Sequence, residues 1–88
     1  MRYMVIETFV HGPSPVYRRA AERGRMLPPG LVHVDSWVDD RQLDRCFQLM
    51  ETENPAQFDE WIAHWKDLVE FEIVPVISSS EVAARLAS

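Results

Sequence analysis

The sequence predicts an α+β fold, a βαββαβ chain in the ferredoxin-like arrangement with a four-stranded antiparallel sheet. Three observations predict it. Four stretches alternate with a period of two residues: 2–10, the two arms of 31–52, and 69–77. Two stretches, 15–25 and 55–68, carry apolar residues at helical spacing, and Pro/Gly or Asn-Pro breaks separate the units. Two right-handed crossovers then place both helices on the same face of the sheet, in the strand order fourth, first, third, second.

The first strand is apolar in both rows, Met4, Ile6 and Thr8 against Tyr3, Val5, Glu7 and Phe9, as in a central strand. His11-Gly12-Pro13 breaks it. Ser14 is the expected N-cap and Pro15 the first residue of a helix reaching Arg25, with Val16 and Ala20 inward. Pro28-Pro29-Gly30 stops the helix.

Leu31–Thr52 reads as a hairpin around Asp39-Asp40-Arg41-Gln42, and the absence of Asn-Gly or Asp-Gly predicts a loop longer than two residues. In its first arm Val32, Val34, Ser36 and Val38 share one face, while His33, Asp35 and Trp37 share the other. In its second arm Phe47 and Leu49 alternate with Cys46, Gln48 and Met50. One face is apolar and the other mixes apolar with hydrogen-bonding groups, so function is sought on the mixed face.

Asn54 and Pro55 open a second helix, with Gln57 where a capping-box side chain reaches back. Phe58, Trp61, Ile62, Trp65 and Leu68 form its core stripe. In the last strand Phe71, Ile73 and Ile77 oppose Glu70, Glu72, Val74 and Val76, and Pro75 favours an edge position. Residues 1–78 form one domain. Residues 79–88 form a helical tail, capped by Ser80 and bearing Val82 and Leu86, that either docks or frays.

Composition narrows the function classes. The net charge of −5 disfavours nucleic acid, and no apolar run is long enough for a membrane span. Cys46 is the single cysteine, so an internal disulfide is excluded and a cytoplasmic location is expected. Residues 1–30 carry five Arg against Glu7 and Glu22, a net +3, and residues 31–88 carry twelve acids against four basic residues, a net −8. The arginines can hold an anion or pair with the acidic half.

Two helices cover one sheet face. The other face would expose Trp37, Met50 and one row of the first strand, a patch that a two-fold dimer would bury by packing sheet on sheet. A homodimer through the open sheet face is therefore expected.

Segments VDSWV (34–38) and DRCFQLMET (44–52), with YRR (17–19) and ERGRMLPPGL (22–31) before them, resemble a family of small bacterial proteins with a domain of unknown function. The similarity reaches about Ile77. That family is similar to the dimeric α/β barrels, which include cofactor-free antibiotic-type monooxygenases, muconolactone isomerases, EthD-like proteins and haem-dependent dismutases. The resemblance implies this fold and a dimer, and no particular activity.

On the mixed face His33 and Asp35 are the catalytic candidates, a general base beside a carboxylate that raises its basicity. Glu7, Trp37, Cys46, Gln48 and Met50 are the ligand-binding candidates, with Trp37 for stacking and Gln48 to orient a carbonyl or enolate oxygen. The expected ligand is a small aromatic or enolisable compound, held between sheet and helices or in the dimer barrel. The chemistry would be cofactor-free, like a monooxygenase or isomerase. The competing reading is a non-catalytic binding or structural dimer, with His33 and Asp35 as satisfied polar groups at its seam. Glu7, His33 and Asp35 are the one candidate metal set, and a haem on His64 is weaker still. No metal and no cofactor is expected.

Overall fold

The computed structural model describes residues 1–87 of the 88-residue chain. The elements are β1 (Arg2–Phe9), α1 (Pro13–Arg23), β2 (Val32–Val38), β3 (Arg45–Glu51), α2 (Ala56–Ala63), β4 (Val69–Val76) and α3 (Ser79–Ala87). All strand pairs are antiparallel, in the order β2-β3-β1-β4, so the fold is ferredoxin-like with a third helix added. β1 is central, as its two apolar rows require. β4 is an edge strand, which lets Pro75 lack a ladder donor at no cost.

One row of the sheet faces the helices. Tyr3, Val5, Glu7 and Phe9 of β1 are buried there with Cys46, Gln48 and Met50 of β3 and Val69 of β4. Phe58, Trp61 and Trp65 press on this row, with Tyr3 meeting Phe58 edge-on at 5.1 Å and Trp61 meeting Phe71 at 5.2 Å. The opposite row carries Met4, Ile6, Phe47, Leu49, Val74 and Val76, of which Leu49 and Val76 line a second cavity together with Glu81 of α3.

Several expected boundaries move. Helix α1 begins at Pro13, because Gly12 turns the chain at φ 77° and Pro13 takes the first helical position; Ser14 makes no cap. Its end is Arg23, where Gly24 at φ 68° donates its N–H to the Ala20 carbonyl at 2.8 Å. Helix α2 stops at Ala63. The chain continues to Leu68 in tight turns, which still bring Trp65 inward. Asn54 accepts from the Ala56 N–H as expected. Gln57 does not reach back to the cap. It bonds Thr52 Oγ1 and donates to the Pro29 carbonyl, tying the start of α2 to the loop before β2. The hairpin loop spans 39–44, longer than two residues as predicted.

The largest departure lies in β2. His33 pairs with Met50 and Asp35 with Leu49, so Val34 is an extra residue, a β-bulge. Beyond it the alternation is inverted. Ser36 and Val38 lie opposite Gln48 and Cys46 on the helix side, while Asp35 and Trp37 lie opposite Leu49 and Phe47 on the open side. The edge position allows this, since β2 has a ladder on one side only. Asp35 favours it by accepting the Ser36 N–H at 2.8 Å, a local bond that competes with regular pairing.

The expectation that His33, Asp35 and Trp37 share a face with Cys46, Gln48 and Met50 is thus corrected: His33 does, and Asp35 and Trp37 do not. Met50 is likewise corrected, being wholly buried under the helices and absent from the open face. Helix α3 is capped by Ser78, whose Oγ accepts the Glu81 N–H; none of its residues is buried. Ser88 of the expected tail lies outside the described residues.

Candidate functional site

A cavity of about 240 Å³ lies between the sheet and the helices. Its sheet wall is Glu7 and Phe9 of β1, Ser36 and Val38 of β2, and Cys46 and Gln48 of β3. Helix α1 supplies Val16, Tyr17 and Ala20; Trp61 and Trp65 close the far side, and Gly24 and Arg25 border it. Tyr17, Gly24 and Arg25 are exposed and form the mouth, whereas Glu7, Gln48 and Cys46 are buried and form the floor.

The floor is polar in an apolar surround. Glu7 is only 5 % exposed, and burial pushes its carboxyl up to about 7, against the smaller opposing effects of the Gln48 hydrogen bond and the Arg25 charge. Gln48 Nε2 donates to Glu7 Oε2. The other end of that amide, Gln48 Oε1, is buried without a hydrogen-bond partner. A buried acceptor left unmatched costs about 1–3 kcal/mol, and such groups call for an explanation. A ligand O–H or N–H donor supplies one. Gln48 therefore presents an acceptor to the cavity. One of its two N–H groups goes to Glu7; the second is the donor through which the expected orientation of a carbonyl or enolate oxygen would act.

Cys46 is not a nucleophile in this setting. Burial first, and the neighbouring Glu7 second, push its thiol to about 12. The Tyr17 hydroxyl is also raised, chiefly by burial. Its ring stands edge-on to Phe9 at 6.3 Å.

The loop carrying Arg25 is built with care. Arg25 lies between Gly24 at φ 68° and Met26 at φ 58°. The indole N–H groups of Trp61 and Trp65 both donate to the Arg25 carbonyl, at 3.0 and 3.1 Å. A left-handed methionine costs about 1–2 kcal/mol, and two indole donors on one carbonyl hold it in place. The Arg25 guanidinium meets His33 Nε2 at 3.2 Å. His33 accepts there as a neutral imidazole, its pKa lowered by burial first and by Arg25 second.

Of the seven residues singled out in the sequence, the structure brings Glu7, Cys46 and Gln48 into one cavity. His33 lies beside its Arg25, and Met50 is core. Asp35 and Trp37 are carried to the opposite face by the bulge, so Trp37 does not reach this cavity; the Asp35 charge still raises the His33 pKa, against the larger lowering by burial and Arg25. The same separation dismantles the metal set of Glu7, His33 and Asp35, and no cluster of three potential ligands occurs among the described residues.

Sequence reasoning had Arg25 only as one of five arginines able to hold an anion, missed Tyr17 and Ser36, and read Trp61 and Trp65 as core alone. Gly24 carried a usable signal, since glycine ends helices and would have freed Arg25 from α1. Of the five N-terminal arginines, Arg19 does pair with the acidic half. It holds Asp67 through two 2.7 Å contacts that draw that carboxyl down to about 2.

The family described as a domain of unknown function, DUF3303, has a sequence model that matches residues 1–88. The chain belongs to this family. No curated protein and no solved structure gives a match. Among the described residues of this DUF3303 protein, no helix is long and apolar enough to cross a membrane.

Proposed function

We propose that this DUF3303 domain binds a small aromatic or enolisable ring compound in the cavity between sheet and helices, with Glu7 as the group that exchanges a proton with it. One observation carries the reading: a buried carboxyl titrating near neutrality beside an amide oxygen with no partner, both on the floor of a cavity walled by two tryptophans. A hydroxyl entering the cavity donates to Gln48 Oε1. Glu7 above neutrality accepts a proton from an acidic O–H or from a carbon next to a carbonyl; below neutrality it returns one. The volume falls under the roughly 300–1,000 Å³ of drug-sized sites, which restricts the occupant to about one ring.

The test uses the fluorescence of Trp61 and Trp65. Phenol is expected to bind at least about tenfold more tightly than toluene, the effect of one satisfied buried acceptor. In the double variant Glu7→Leu with Gln48→Leu, which exchanges the polar pair for apolar groups, toluene should overtake phenol. Equal affinities in the wild type, or no response to either ring, reject the reading.

The open face supports a homodimer. Trp37 is 52 % exposed on the sheet face that also carries the half-buried Phe47, Leu49, Met4 and Ile6. Packing two such faces would form a barrel across the subunits, as in the dimeric α/β barrels. Light scattering is expected to give twice the chain mass at micromolar concentration, and Trp37→Glu to give the monomer. A wild-type monomer there would rule the dimer out.

A further inference from the structure

We infer that Arg25 is an anion-recognition residue at the cavity mouth, so that the ligand is a ring compound with a hydroxyl at one end and a carboxylate at the other. This rests on the proposed binding cavity and adds the ligand's second functional group.

Three observations support it. Arg25 lines the cavity on its exposed side, opposite the Glu7–Gln48 floor. Among the described residues it makes no salt bridge; its side-chain hydrogen bond goes to the neutral His33, and its charge reaches the Glu7 carboxyl only at longer range. In a chain with fourteen acids against nine basic residues, such a guanidinium has many potential partners, and Arg19 has found one.

The backbone is fixed at this residue by distant side chains. The two indole donors hold the Arg25 carbonyl, and left-handed residues flank it on both sides. Strain retained at a cavity rim is a mark of a functional position. Pinning the backbone removes part of the ordering cost of closing a long side chain on a ligand. A guanidinium offers paired N–H groups that match a carboxylate in bidentate geometry, which an ammonium would not. His33 takes up one of those N–H groups and leaves the rest of the fork free.

The two ends of the cavity therefore differ. The floor selects a donor through Gln48 Oε1, and the mouth selects an anion through Arg25. Trp61 and Trp65 wall the apolar space between.

The experiment compares para-hydroxybenzoate with its neutral isostere para-hydroxybenzamide, read by tryptophan fluorescence in the full chain. The carboxylate is expected to bind at least about tenfold more tightly at low salt. Arg25→Gln should abolish that difference and leave the benzamide within about twofold of its wild-type affinity. Arg25→Lys should restore only part of it. If the two probes bind the wild type equally, the assignment of Arg25 is overturned while the cavity reading stands. If neither binds, both are overturned. A circular dichroism spectrum of each variant distinguishes lost recognition from lost fold, and loss of benzamide binding in a folded Arg25→Gln overturns the assignment as well.

Discussion

Trp61→Ala is expected to lower the unfolding free energy by about 3–5 kcal/mol, the range for removing a buried aromatic from a packed core. The side chain is 2 % exposed. It stands edge-on to Phe71 at 5.2 Å and to Phe58 at 6.4 Å, and its indole N–H holds the Arg25 carbonyl at 3.0 Å. One substitution thus empties the middle of the core and removes half of the clamp on the 24–26 loop. Small domains have roughly 0.05–0.15 kcal/mol of stability per residue, or about 4–13 kcal/mol for an 88-residue chain, so this loss removes roughly a third or more of the total. Trp61→Phe keeps most of the ring area and should cost far less. Urea denaturation followed by circular dichroism measures both. A loss under about 1 kcal/mol for Trp61→Ala would mean that α2 does not pack on the sheet as described.

The second large effect is in the pH dependence of stability. The Glu7 carboxyl titrates at about 7 in the folded chain against 4.5 as the reference value, and burial is the main cause. Below pH 4.5 it is protonated in both states and makes no difference. Between 4.5 and about 7 the unfolded chain has released a proton that the folded chain retains, so stability falls as pH rises. Above about 7 the loss is constant, near 3 kcal/mol.

Glu7→Gln keeps an amide beside Gln48 and removes the titration. The variant is expected to match the wild type in acid and to exceed it by about 3 kcal/mol at about pH 8. His33, whose pKa is lowered, acts in the opposite sense, with stability rising as it loses its proton. It is common to both proteins and cancels in the comparison. Asp67 titrates near 2, below this window. Parallel stability curves for the two proteins from acid to neutral pH would show that Glu7 is not buried in its charged form. The same titration sets the proposed chemistry, since a carboxyl that ionises near neutrality can both take and return a proton under ordinary conditions.

The two predictions concern one arrangement. Trp61 holds the roof of the cavity and positions the Arg25 backbone; Glu7 occupies the floor. Filling the floor with a carboxyl and an unmatched amide oxygen lowers stability, and apolar residues of similar volume would serve a structural core better. That cost is the physical ground for reading the cavity as functional.

The chain's own pattern determined a good deal. Alternation in 2–9, 32–38, 45–51 and 69–76, set against helical spacing around Val16 and around Phe58 to Trp65, was enough for the element order, the central place of β1 and the edge place of β4. Glu7, Cys46 and Gln48 were recognisable as polar groups in otherwise apolar strands. These features are local, since period and burial leave their mark residue by residue.

Tertiary structure alone decided which groups meet. One extra residue at Val34 inverts the remainder of β2, sending Asp35 and Trp37 to the open face and Ser36 and Val38 to the cavity. A bulge arises from competition between ladder bonds and a local Asp35–Ser36 bond on an edge strand, and unbroken alternation through 32–38 gives no hint of it. The placement of Arg25 is likewise non-local: its carbonyl is held by indoles 36 and 40 residues away in sequence. Periodicity registers which face a residue prefers, but a hydrogen bond between distant elements exists only once the sheet and helices have closed on each other.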